Sequence, residues 1–196
     1  MADPNAAFDV VMKDEGLWEW TNDESDSGGE TFSGVARAFH PEWEGWAIID
    51  SMKSSALFPN NLTLSNELKV FTRQFYKVEF WDKFFGDRIP DQSVANELFD
   101  QAVNLGIGFA IKTLQTVLTI FNRGYLPNPL YPDLEIDGKF GSTTLSALVK
   151  YLEYDDAREL VETMNDRQSY GYQERALINR TKRKYIRGWL KRTRVK

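Results

Sequence analysis

The sequence has no cysteine and one histidine, His40, in 196 residues. Without cysteine there is no disulfide, no thiol nucleophile and no thiolate-bound zinc. A single imidazole points away from a histidine-rich metal site and from a Ser-His-Asp triad. Apolar runs of about eighteen residues are also missing. The opening stretch "MADPNAAFDVVMKDEG" has neither the basic start nor the apolar core of a secretory signal. Strand formers are scarce outside the N-terminal region. Any chemistry therefore falls to carboxylates, hydroxyls, lysines or tyrosines, with no cofactor and no metal expected.

What the chain does have is a large apolar inventory and a divided charge. Hydrophobic residues make up 42% and aromatics 14%, enough to bury the core of one domain or two small ones. The net charge of −5 conceals two halves: residues 167–196 carry eleven Lys or Arg against the single acid Glu174, and the rest carries thirteen against twenty-eight acids. The closing stretch "RTKRKYIRGWLKRTRVK" reads either as a solvated helix pairing with the acidic body or as a dock for an anionic polymer. Nucleic acid is not an expected partner, because so acidic a body opposes phosphate and no nucleic-acid motif accompanies the tail.

Helical periodicity dominates. Phe8, Val11, Met12 and Glu15 fall on one face, with Gly16 where a helix C-terminal residue would sit. Residues 17–34 read as a loop or short hairpin centred on Gly28-Gly29. Further helices are predicted near 44–56, 64–84, 91–104, 108–122, 141–152, 155–169 and 172–193. The second of these starts at the cap candidate Ser65 and carries Leu68, Phe71, Phe75, Val78 and Trp81 at helical spacing. The fold class is thus mainly α, a helical bundle with one small N-terminal hairpin excursion.

That excursion concentrates the acids. "KDEGLWEWTNDESDSGGETFSG" holds seven carboxylates and one lysine. Glu15 continues an apolar helix face and precedes Leu17, Trp18 and Trp20, a setting that removes hydration and raises a carboxyl pKa. A protonated acid beside a second, ionised carboxylate in a wetter setting is what glycosidic cleavage requires. The loop offers Asp23, Asp26 and Glu30 as the second group, with Thr31 able to orient a water. The structural alternative is a helix-terminal Glu beside a solvated acidic loop.

The order of motifs goes further. "EGLWEWTNDESDSGGETFSGVA", "FYKVEFWDKF", "LFDQAVNLG", "IKTLQTVL", "DGKFGSTTLSAL" and "GWLKR" together resemble the glycoside hydrolase family 108 muramidases with their attached peptidoglycan-binding region. The resemblance spans about residues 8 to 192. It implies a lysozyme-like α+β fold, a catalytic region over 1–92 and a helical peptidoglycan-binding region over 93–196, packed as one unit. It also implies cleavage of the β-1,4 bond between N-acetylmuramic acid and N-acetylglucosamine. Glu15-Gly16 falls on the family's Glu-Gly element, so Glu15 is implied as the general acid. Asp26 and Thr31 follow the Glu, Asp, Thr order of phage-type lysozymes, with Asp23 the competitor to Asp26. Two departures bear on that choice: Leu17 replaces the family's second glycine, and Glu24 and Ser27 replace its prolines.

Sugar sites need flat apolar faces and planar amides, and Tyr76, Trp81, Gln101 and Asn104 fit those roles beside Asp23 and Glu30. Trp81 has core as its alternative and Asn104 a helix cap. In "FDQAVNLG" the spacing turns Asp100, Gln101 and Asn104 away from the buried Phe99, Ala102 and Val103. Asp137 to Gly141 is a turn before a helix, and His40 before Pro41 serves a turn or helix start. The expected partner is the peptidoglycan glycan strand, with no stable membrane insertion and a monomeric chain. The missing signal fits a cytoplasmic phage or prophage endolysin released to the wall by a separate pore. Two other readings use the same residues: a lytic transglycosylase, and a non-catalytic or secretion-associated peptidoglycan-binding protein.

Overall fold

The computed structural model describes residues 1–15, 18–23, 28–123 and 127–194, except the side chains of residues 14 and 15. In chain order these residues form α1 (Pro4–Glu15), the strands β1 (Trp20–Asp23), β2 (Gly29–Phe32) and β3 (Val35–Ala36), then α2 (Gly45–Met52) and α3 (Asn66–Glu79). There follow α4 (Gln92–Leu105), α5 (Ile107–Phe121), α6 (Ser142–Tyr154), α7 (Ala157–Ile178) and α8 (Ile186–Arg192), with 3-10 turns between some of them. Two compact bodies emerge, Phe8–Glu79 and Met1–Ala7 with Phe80–Lys196.

The body over 8–79 is built on a meander and a chain of rings. β1 pairs with β2 and β2 with β3, all antiparallel, with Trp20 opposite Phe32 and Phe32 opposite Val35. The turn between β2 and β3 is Ser33-Gly34, both at positive φ (47° and 80°), the primed two-residue turn that matches strand twist. The hairpin signal at Gly28-Gly29 marked the first reversal; the second, Ser33-Gly34, carries the sheet on to β3. Phe8 packs edge-on to Tyr76 at 5.5 Å, Phe32 stacks on Trp43 at 6.3 Å, and Trp43 meets Trp46 at 5.1 Å. Each such pair adds to the burial of its rings.

α3 starts where the sequence placed it, with the Leu68 amide donating to Ser65 Oγ at 3.2 Å. Its buried stripe differs from the apolar spacing: Leu68, Thr72 and Tyr76 are inside, whereas Val78 is 40% exposed. Thr72 goes inside because its hydroxyl bonds the Leu68 carbonyl at 2.8 Å, and Tyr76 because its hydroxyl donates to the Ser33 carbonyl at 2.9 Å. The helix predicted over 64–84 is also two elements, since Phe80 leaves helical geometry (φ −127°) before a 3-10 turn over Trp81–Phe84.

In the second body, α4 begins at the cap Asp91, which accepts from the Ser93 and Val94 amides. The N-terminal residues are tied to this start, with the Asp3 amide donating to Gln92 Oε1 and the Ala2 amide to the Ile89 carbonyl. α4, α5, α6 and α7 then enclose Leu98, Leu114, Leu118, Leu148, Leu160 and Met164, all of them with essentially no exposed surface. The predicted break between 169 and 172 is absent, and α7 runs unbroken for 22 residues. Gly171, inside α7, is a close-approach residue: a Cβ there would lie 2.6 Å from Phe109 Cζ. Asp137 does form the expected turn, its carboxylate accepting from the Lys139 amide at 2.8 Å and from Gln115 Nε2 at 2.9 Å.

Gly34 combines a left-handed φ with a blocked Cβ position, 2.4 Å from the Tyr76 hydroxyl. Gly34→Ala is expected to lower unfolding free energy by about 2 kcal/mol in urea titrations. A change under a few tenths would mean the turn is not a constraint.

Candidate active site

α1 ends at Glu15, and β1 begins five positions later. Phe8, Val11 and Met12 are all buried and form the inward stripe of α1. The last turn of a helix is the negative end of its dipole, which disfavours a carboxylate there. The Glu15 side chain itself, and the whole of Asp26, lie outside the described residues.

Strand alternation sorts the remaining acids. Asp23 faces Gly29 across the ladder, Thr21 faces Thr31, and Asn22 faces Glu30. Side chains at alternate positions share a face, so Asp23, Thr21 and Thr31 lie on one side and Trp20, Glu30 and Phe32 on the other. Phe32 is fully buried, which makes its side the inward one. Asp23 is exposed and Thr31 half-buried, its hydroxyl donating to the Gly29 carbonyl at 3.2 Å.

Glu30 is committed inside this body. Lys53 Nζ lies 2.8 Å from Oε1, and Trp20 Nε1 donates to the same oxygen at 3.0 Å. Arg37 Nε is 2.9 Å from Oε2, an ion pair whose N–H direction falls short of hydrogen-bond alignment. Arg37 also grips Asp50 with both terminal nitrogens, at 3.1 and 2.8 Å, and Lys53 reaches Asp50 at 2.7 Å. Hydrogen bonds from Arg37 and then Lys53 hold the Asp50 carboxyl down to about 2. Burial works against charge on Lys53, but its bonds to Asp50 and Glu30 outweigh that and its pKa is raised. Arg37, Asp50 and Lys53 were not singled out from sequence. The one available sign was the two-residue period that places Glu30 on the same side as Phe32.

Other sugar-contact candidates occupy structural positions. Tyr76 is 4% exposed and supports the Ser33-Gly34 turn through its hydroxyl. In the second body, Trp81 has no exposed surface and donates to Asp87 at 2.8 Å. Gln101 is also fully buried, bonded to Glu97 Oε1 at 2.9 Å and to the Met164 carbonyl at 3.0 Å. The outward face expected for Asp100 and Gln101 is therefore an inward one, because α7 supplies Asn165 and Gln168 as amide partners for Glu97 and Asp100. Asn104 is half-buried; its amide nitrogen donates to Asp100 and its oxygen accepts from Arg192.

The second body also contains a groove of about 450 Å³ beside the N-terminal half of α6. Leu130, Tyr131, Pro132 and Leu134 form one wall, and Ser142, Thr143, Ser146 and Lys150 the other. Ser142, Thr143 and Ser146 are exposed, and Lys150 is half-buried and paired with Glu153 at 2.7 Å. An apolar wall facing hydroxyls and one cation is the composition of a pocket for a polar ligand with small apolar groups.

These features define a mainly α, lysozyme-like fold. The description "Glycosyl hydrolase 108" matches residues 8–106, and the chain belongs to that family. A second description, "Predicted Peptidoglycan domain", matches residues 109–194. The chain is accordingly a peptidoglycan hydrolase, with peptidoglycan as its partner. It is similar to a solved structure, that of SagA of Brucella abortus, with 22% identity over 97% of this chain and 88% of that one and a TM-score of 0.58. At that identity the likeness bears on the fold alone. No curated protein matches the chain.

Asp50 has a folded pKa near 2 against an ordinary 3.8, so its contribution is complete above 3.8 and disappears as the pH falls through about 2. Because the pair is half-exposed the effect is small. Asp50→Asn is expected to lower the melting temperature at neutral pH by about 2 °C, with the difference from wild type closing in acid. Differential scanning fluorimetry across pH checks both the size and the closing.

Proposed function

We propose that the chain is a muramidase that cleaves the β-1,4 bond between N-acetylmuramic acid and N-acetylglucosamine, with Glu15 as general acid. The observation that carries this reading is the sorting of acids in the first body. α1 ends at Glu15, and the hairpin that follows keeps Asp23 and Thr31 on its outer face while Arg37 and Lys53 hold Glu30 on the inner one. In that role Glu15 donates a proton to the leaving glycosidic oxygen. A second, ionised carboxylate and a threonine hydroxyl position water or steady the oxocarbenium-like transition state. Asp23 and Asp26 are the two candidates for that carboxylate.

Glu15→Gln is expected to reduce muropeptide release from purified peptidoglycan by about 10²-fold to 10⁴-fold while circular dichroism stays unchanged. Asp23→Asn and Asp26→Asn, compared in the same assay, identify the second group by the larger loss. Equal release by wild type and Glu15→Gln would remove Glu15 from the mechanism. Products carrying a 1,6-anhydro ring, lighter by one water, would make the enzyme a lytic transglycosylase instead.

The groove beside α6 is proposed as the contact of the 109–194 region with peptidoglycan. Ser146→Trp fills it from an exposed position, so pull-down on insoluble peptidoglycan is expected to weaken about tenfold with the fold intact. Unchanged retention would place that contact elsewhere.

A further inference from the structure

The end of the second body is a basic surface with bare aliphatic residues at its edge. α7 closes on Leu177 and Ile178, which are 67% and 83% exposed. Immediately after them the chain enters a 3-10 turn, Arg180–Tyr185, that contains Arg180, Lys182, Arg183 and Lys184, all exposed. This segment is folded and not a loose tail. Trp189 of α8 stacks on Tyr172 of α7 at 5.2 Å and on Tyr185 at 5.9 Å, pinning α8 to α7. Arg183 doubles back to donate to the Ala176 and Leu177 carbonyls at 3.1 and 3.4 Å, which sets its guanidinium beside the aliphatic pair. Asn179 closes the corner, accepting from the Thr181 amide at 3.0 Å.

A soluble polyanion recognises such a surface through charge alone and gains nothing from Leu177 and Ile178. A bilayer engages both features: aliphatic tips enter the boundary between headgroups and acyl chains, while flanking Lys and Arg meet lipid phosphates and lay their own apolar stems along the interface. Residues 167–196 hold an excess of ten basic residues, the charge complement of an anionic headgroup layer. None of the described helices is long and apolar enough to cross a membrane, so association of this kind is peripheral.

We infer that the segment from Leu177 to Arg194 is a docking surface for membranes rich in anionic phospholipid, with Leu177 and Ile178 as its inserted pair. The inference is independent of the muramidase reading, because it is tested on vesicles that contain no glycan. The full chain is sedimented with vesicles of phosphatidylcholine alone and with an equal mixture of phosphatidylcholine and phosphatidylglycerol. Binding is expected only to the mixture, weakening as salt rises. The double variant Leu177→Ser/Ile178→Ser is expected to bind about tenfold more weakly, and Lys182→Gln/Lys184→Gln/Arg187→Gln to lose preference for the anionic lipid. All five side chains are exposed, so the fold is expected to survive, and circular dichroism confirms it. Absence of binding to the mixed vesicles overturns the proposal. Undiminished binding by the double serine variant, or full displacement by soluble polyphosphate, overturns it equally by marking a site that reads charge without lipid.

Discussion

Glu30 between Arg37 and Lys53 is the constraint on which the candidate active site depends. Two cations and the Trp20 indole converge on one carboxylate of β2, and the same cations tie it to Asp50 of α2. A carboxylate so committed cannot rotate outward without stranding charged partners, so it locks which face of the hairpin is inward. Because strand side chains alternate, locking Glu30 inward also sets Asp23 and Thr31 outward. The energy of any one of these half-exposed pairs is modest. Their joint effect is directional: it holds Glu30 on the inner face of the hairpin and leaves Asp23 on the outer one.

The second body solves a related problem by a different means. Glu97 and Asp100 of α4 are buried, and side-chain amides of Gln101, Asn165 and Gln168 donate to them at 2.6 to 3.0 Å. The amides of Asn165 and Gln168 align α7 on α4 in one register, since a slip by a turn would break both bonds. Gly171 lets α7 approach Phe109 of α5 closely. Gln115, bonded to Asp137, Lys139 and Thr144, holds the turn that leads into α6 and so the wall of the groove there. Polar contacts of this kind specify arrangement more than they add stability.

Much of the fold was legible in the sequence. Most helices stand within a few residues of their expected spans, Ser65 caps α3, and Asp137 makes its turn, because local spacing and capping chemistry operate without tertiary help. The failures have causes that apolar spacing does not register. Thr72 displaced Phe71 and Phe75 from the buried stripe of α3 because a hydroxyl that bonds its own helix is buried at little cost, which an apolar count cannot register. Gln101 and Asp100 went inward because their partners lie more than sixty residues away on α7. The gap expected between 169 and 172 is closed in α7, where Gly171 admits the ring of Phe109.

By itself the sequence determined the helical class, the short N-terminal hairpin, the family signature and the concentration of positive charge in the last thirty residues. These are properties of composition, period and order along the chain, and physics acting over a few residues suffices for them. Tertiary structure alone decided which acids face water and which are neutralised, since that depends on Arg37 and Lys53 arriving from later in the chain. It likewise decided that Trp81 and Gln101 are core groups, and that Leu177 and Ile178 remain uncovered beside the basic turn. In each case the outcome depends on which elements pack against one another, and local spacing along the chain does not encode that.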